Sequence, residues 1–262
     1  MKQWKIVIYL TVFLWWMIPG RTYGAIPEDS LGPLIASMTY QDEYEGLVHL
    51  GFLDTQTIET QNIKSAYQKV SPSVVGIYAE NFVGSGVIYA LEDQRIIVLS
   101  CRHLLQYDET PEITFIDGEK VLGKLFYLSE QADLGFVEVD PGLLSIDTIK
   151  KIRRIAIDEM AYRQIEEGTE LFHVGSVGRI AGNMYEGVIL NQWKFFPEFN
   201  QFMIHSKCKA VPGMSGGGTF DAKGNYIGMI LGGKETETAS LPLETIMEEW
   251  NIMIQQENEK KE

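Results

Sequence analysis

Cysteine is scarce. Two residues in 262, Cys101 and Cys208, cannot build a disulfide framework. Both lie in apolar, strand-like runs, so the sequence predicts buried free thiols packing as small hydrophobes, with a single bridge as the alternative. Positive charge is scarce too. Lys and Arg number 22 against 36 acids, a net charge of −14. A nucleic-acid binder would need a basic face, so no nucleic-acid partner is expected. There are four histidines, without metal-ligand spacing, and the acids are dispersed, so no metal or other cofactor is expected. No period of 20–50 residues repeats. The alternating βα units of an α/β sheet are missing as well.

The amino terminus has the layout of a secretory signal over residues 1–24. Lys2 and Lys5 precede an apolar run, Ile6–Ile18, broken only by Thr11, and Pro19-Gly20 ends it. Thr22 and Gly24 then place small residues before a cut at Ala25. The run is shorter than a membrane-spanning helix. An uncleaved membrane tether is the alternative, because Trp15, Trp16 and Tyr23 suit a membrane interface. The expected location is extracytoplasmic, either secreted or in the cell envelope. Residues 25–59 read as an extension or linker, with one short apolar element at Leu47–Leu53. Thr60–Val70 reads as a helix with Ile63, Ala66, Tyr67 and Val70 on one face, stopped by Ser71-Pro72.

Short apolar runs divided by Gly, Asp and Asn then predict strands. They are Val74–Tyr78, Val87–Ala90, Arg95–Ser100, Ile113–Ile116, Val121–Leu128, Leu134–Val139, Ile152–Ile157, Glu170–Val174, Gly187–Gln192, Gln201–Ala210 and Asn225–Leu231. This spacing points to an all-β chain, an antiparallel barrel or sandwich. One long helix is predicted, Leu243–Gln255, with Ile246, Trp250 and Ile254 on one face. Residues 256–262 read as a solvated charged tail.

Within this pattern lies Val211-Pro212-Gly213-Met214-Ser215-Gly216-Gly217-Gly218. A nucleophilic serine needs its Oγ clear of the backbone and N–H groups aimed at the oxyanion it creates, and flanking glycines allow both. The plainer reading is a glycine-rich turn between strands. The next segment, Thr219–Asn225, reads as a strand end and turn rather than the helix of an α/β-hydrolase elbow. A nucleophile requires a base, and the base an orienting acid. His103 ends the buried run Ile96–Arg102. Asp133 is a lone acid at the head of an apolar strand, where burial demands a partner. The order His103, Asp133, Ser215 is the order of chymotrypsin-like enzymes.

With these residues in view, about Thr60 to Gln255 resembles a trypsin-like serine protease domain of the HtrA (Deg) type. Ala66-Tyr67-Gln68-Lys69-Val70-Ser71-Pro72-Ser73-Val74-Val75 resembles the family's opening helix and first strand. Gly84-Ser85-Gly86-Val87-Ile88 is similar to its Gly-Ser-Gly-hydrophobic stretch. Val98-Leu99-Ser100-Cys101-Arg102-His103-Leu104-Leu105 is similar to its histidine strand, and Ala132-Asp133-Leu134-Gly135 to its Thr-Asp-Leu-Ala. Pro212-Gly213-Met214-Ser215-Gly216-Gly217 resembles its Pro-Gly-Asn-Ser-Gly-Gly. Leu241-Pro242-Leu243-Glu244-Thr245-Ile246 resembles the segment before its closing helix.

The resemblance implies two perpendicular six-stranded antiparallel β-barrels with a C-terminal helix and the active site between the barrels. It implies a serine endopeptidase acting on polypeptides, with Ser215 as nucleophile, His103 as base and acid, and Asp133 as orienting carboxylate. The N–H groups of Gly213 and Ser215 would form the oxyanion hole. Leu231, Gly232 and Gly233 would wall the primary pocket and pair with substrate backbone. Lys209 would lie at the pocket base and favour acidic side chains, or point to solvent and leave a small apolar pocket. Met214 departs from the family's polar residue, Cys101-Arg102 is unusual before the histidine, and no PDZ domain is expected after the protease. The alternative to an enzyme is a catalytically silent module that holds peptides in the same groove. Oligomeric state is left open.

Overall fold

A computed structural model describes residues 63–177, 180–234 and 236–260. The predicted signal at 1–24 and extension at 25–59 lie outside the described residues. Helix α1 (Ile63–Val70) turns Ala66 and Val70 inward. A 3₁₀ turn at Ser71–Ser73 stops it, with Pro72 at its start and Ser73 Oγ donating to the Val70 carbonyl at 2.7 Å.

The first sheet contains β1 (Val74–Ala79), β2 (Phe82–Leu91), β3 (Ile96–Ser100), β4 (Glu112–Thr114), β5 (Lys120–Leu122), β6 (Lys124–Leu128) and β7 (Gly135–Val139). Their order is β5-β4-β1-β2-β3-β7-β6. Seven strands stand where six were expected, because Val121–Leu128 breaks at Gly123. The two halves lie at opposite edges of the sheet, so one bent strand brings its edges around. Gly123 permits the bend: a Cβ there would lie 2.4 Å from Val137 Cγ1.

The second unit is a closed barrel, ordered β10-β13-β12-β11-β8-β9. Its strands are β8 (Glu170–Val177), β9 (Ile180–Phe196), β10 (Gln201–Lys207), β11 (Gly218–Asp221), β12 (Tyr226–Lys234) and β13 (Glu237–Pro242). Closure removes the free edges an open sheet would leave. Phe172, Phe220 and Tyr226 have no exposed surface and pack ring against ring in turn, each burial contributing about 1.5–3 kcal/mol. The barrel meets the first sheet closely at Gly76 of β1, where a Cβ would stand 3.0 Å from Ser176 Oγ of β8.

Several expectations are corrected. Ile152–Ile157 forms no strand; it contributes one isolated bridge, Ala156 to Asn225. Its apolar residues pack without a ladder partner. Short helices at Arg102–Leu105 (α2), Ile146–Lys151 (α3) and Glu159–Tyr162 (α4) were not anticipated. Each is too short to show a helical period, although Ser145 and Asp158 cap the latter two from their side chains. The closing helix α5 spans Leu243–Glu259. It takes in most of the expected solvated tail, and Arg95 holds Glu257 through two bonds of 3.0 and 3.2 Å. Trp250 packs against Tyr89 and Phe136 of the first sheet, so α5, which comes after the second barrel in sequence, fastens back onto the first.

Candidate active site

The histidine is placed by the end of a buried strand. β3 is wholly buried, and Cys101 leaves it in an extended conformation. The amides of Leu104 and Leu105 then bond the Cys101 carbonyl, turning the chain into α2. His103 on this turn is exposed while Leu104 and Leu105 are buried beneath it.

Asp133 sits in the tight loop between β6 and β7. Ser129 shapes that loop: its Oγ accepts from the amides of Gln131 and Ala132 at 3.1 and 2.8 Å. Arg102 donates to the Ser129 carbonyl and joins the loop to α2. Asp133 then holds His103 twice. Oδ1 accepts the His103 backbone amide at 2.9 Å, and Oδ2 lies 2.6 Å from Nδ1. An ionised carboxylate can only accept, so Nδ1 carries the ring proton and Nε2 is left as the basic nitrogen. Burial would raise the Asp133 carboxyl. The hydrogen bond and charge of the His103 ring, with the His103 and Arg102 amides, outweigh it and hold the group below the ordinary carboxylate value.

Ser215 comes directly after a tight turn. The Met214 amide bonds the Val211 carbonyl at 3.0 Å, Pro212 takes the second position, and Gly213 the third with φ +99°. A positive φ there defines a type II turn, for which Pro and Gly are the favoured pair. A Cβ on Gly213 would also lie 2.8 Å from the Ser176 carbonyl oxygen. Met214 is fully buried and fits against Gly175, whose added Cβ would lie 3.0 Å from it. The departure from a polar residue is thus absorbed by packing: an apolar side chain secures the loop from below.

Ser215 Oγ donates to the Leu231 carbonyl at 3.1 Å; among the described residues it has no hydrogen bond to His103. The β12–β13 register shifts between Ile230 and Gly232. This bulge takes Leu231 out of the ladder and leaves its carbonyl to the serine. Leu231 is buried and Gly233 exposed. Lys209 is exposed, with its ammonium 5.2 Å from the centre of the Tyr185 ring. A shallow cavity of about 320 Å³ lies against the His103–Asp133 edge, lined chiefly by Arg102, Gln106, Glu130 and Gln131.

Both cysteines are free and buried. Among the described residues, Cys101, His103 and Asp133 are the one trio with metal-ligand atoms mutually within 4.8 Å. Burial and the Asp133 charge push the Cys101 thiol up, and it donates to the Ile230 carbonyl at 3.5 Å. A protonated thiol is a poor ligand. Sequence reasoning misses the contribution of Ser85, since Gly84-Ser85-Gly86 enters it only as a matching stretch. The signal is there all the same: a serine between two glycines in a strand marks close backbone approach.

A closed β-barrel beside a curled β-sheet, with a carboxylate-held histidine on one and a glycine-lined serine turn on the other, defines a chymotrypsin-like protease fold. The chain belongs to the trypsin-like peptidase domain family, whose model matches residues 84–229. A curated relative, a serine protease HtrA-like protein of Staphylococcus aureus (strain bovine RF122 / ET3-1), is 23% identical over 163 residues. That match takes in 58% of this chain but only 20% of the relative. Among solved structures, the HtrA-type protease AlgW with decapeptide superposes with a TM-score of 0.63 at 17% identity, covering 74% of this chain and 67% of that one. AlgW with tripeptide gives 0.61 at 20% identity, covering 71% and 61%. The serine endoprotease from Yersinia pestis gives 0.61 at 18%, covering 74% and 67%.

Proposed function

We propose that this chain is an HtrA-type serine endopeptidase that cuts polypeptides outside the cytoplasm. The observation that carries the reading is the double hold of Asp133 on His103, at 2.9 and 2.6 Å, which fixes the ring with Nε2 as base. In the reaction Ser215 Oγ leaves the Leu231 carbonyl and gives its proton to Nε2 as it attacks the substrate carbonyl carbon. The carbonyl π electrons move to oxygen, where the amides of Gly213 and Ser215 receive the charge. The imidazolium, stabilised by Asp133, protonates the leaving amine as the C–N bond breaks. Water, deprotonated by the same nitrogen, then releases the acyl group and restores the serine. The likeness to proteases solved with bound peptides supports polypeptide substrates. With the Lys209 ammonium over Tyr185, the primary pocket accepts a small apolar side chain rather than an acidic one. The export proposal rests on the composition of residues 1–24.

The Ser215–Leu231 hydrogen bond favours a second reading, a peptide-holding module without catalysis, since the nucleophile is engaged away from its base. Digestion of an unfolded polypeptide by the purified protein separates the two. The enzyme reading expects cleavage that Ser215→Ala abolishes. Peptide binding without cleavage, equal in wild type and Ser215→Ala, supports the module.

A further inference from the structure

We propose that Ser85 is a positioning residue that holds the oxyanion turn in its receptive form by joining it to both halves of the molecule. This rests on the protease reading above. Ser85 lies within β2 of the first sheet and has no exposed surface. Four hydrogen bonds meet on it. Its backbone amide donates to the Ser215 carbonyl at 2.8 Å. Its Oγ donates to the Gly213 carbonyl at 2.6 Å and accepts the Ser176 amide of β8 at 2.6 Å. Its own carbonyl accepts Ser100 Oγ of β3 at 2.6 Å. One side-chain oxygen thus spans the first sheet, the closed barrel and the turn.

The chemistry explains why a hydroxyl is needed. The Ser176 amide offers a proton and the Gly213 carbonyl requires one, and a hydroxyl serves both at once. The Gly213 carbonyl belongs to the peptide after the glycine, whereas the amide proposed to face the oxyanion belongs to the peptide before it. Fixing the carbonyl pins one side of Gly213. The other side is set by φ +99° and by Pro212. A shift of the Gly213–Ser215 backbone that displaced the two amides would have to break bonds to Ser85, whose hydroxyl fixes the Gly213 carbonyl and whose backbone amide fixes the Ser215 carbonyl. β2 has no room to shift and relax these bonds, because the flanking glycines are already in close contact. A Cβ on Gly84 would lie 3.2 Å from the Ser215 carbonyl oxygen, and a Cβ on Gly86 2.7 Å from Val98 Cγ1.

Ser85→Ala removes the hydroxyl and keeps the backbone bond. It is expected to lower kcat on a peptide substrate by about tenfold or more with KM little changed, a fraction of the roughly 10²–10³ lost when an oxyanion donor is itself removed. Affinity for a peptide boronic acid, which forms a tetrahedral adduct with the serine, should fall by the same factor, while affinity for an uncleaved peptide measured in the Ser215→Ala background should not move. Ser73→Ala is the control, since it removes an equally buried hydroxyl bond at the end of α1. Ser73→Ala should leave kcat and boronate affinity unchanged. If Ser85→Ala does not fold, Ser85→Cys, which keeps the side chain's shape with a weak donor, carries the same expectation. An active wild type whose kcat and boronate affinity survive the Ser85 change overturns this inference and leaves the protease reading standing. A wild type that cleaves nothing and takes up no boronate overturns the protease reading and this inference with it.

Discussion

Asp133 holds His103 at both its backbone amide and its ring, a pairing the sequence suggests through the order His103, Asp133, Ser215, since alone each reads as an ordinary turn residue. Ser215 stands out by its glycines, which a plain glycine-rich turn would also explain. The contact between Ser215 and Leu231 was not legible, because it depends on a bulge that turns one carbonyl out of a ladder. Lys209 shows the same limit, since its register position could not say that the ammonium would lie over Tyr185. A further residue gives a prediction. His173 is fully buried in the closed barrel, with Nδ1 3.3 Å from the Lys209 carbonyl and Nε2 without a partner among the described residues. Burial pushes its pKa down to about 4, against an opposing effect of the Lys209 carbonyl. The folded pKa lies below the unfolded one, so the fold keeps this contribution above about pH 6.5 and loses it as pH falls toward 4. Between pH 7.5 and 5.0 the loss is about 2 kcal/mol. Urea unfolding at the two pH values should show a fall of that size in wild type and a smaller one in His173→Gln. Equal falls in both would contradict this assignment.

At the scale of elements, short apolar and β-branched runs located most of the strands but not β13, and only the Gly187–Gln192 part of β9, while ends and breaks depended on contacts between distant residues. Gly123 splits a run that reads as continuous, since the close packing of Val137 is invisible in the local pattern. Ile152–Ile157 has strand composition, yet it has one bridge and no ladder. Apolar composition records burial and does not by itself supply a neighbour to pair with. Helix α5 was legible through its apolar face, and its length was not. Its last turns are charged and would fray alone, but Glu257 bonds Arg95 bidentately and Arg95 is also held by Glu92 at 2.5 Å. Both partners are mostly covered, with side-chain exposures of 19% and 18%, so this pair exceeds the smallest values for surface pairs. Glu257→Ala should lower unfolding stability by about 0.5–1 kcal/mol, read as a shift in the urea midpoint. No shift would mean that the end of α5 is as solvated as its composition suggests.

The whole molecule divides its candidate site between two sheets, so the parts must be brought to register by contacts that cross from one to the other. The first sheet supplies His103, Asp133 and Ser85. The closed barrel and its loops supply Ser215, the Val211–Met214 turn and the Leu231 carbonyl. The crossing contacts are specific: Ser85 with Ser215, Gly213 and Ser176, and Gly76 against Ser176. Such a site works as an enzyme only if Ser215 gives up the Leu231 carbonyl for His103 when an electrophile arrives. Labelling of the purified protein with a fluorophosphonate probe measures that step, because the reagent reacts with an activated serine and needs no knowledge of the substrate. The account predicts stoichiometric labelling of the wild type and none of Ser215→Ala or His103→Ala. A folded wild type that stays unlabelled, or labelling that survives Ser215→Ala, would contradict it.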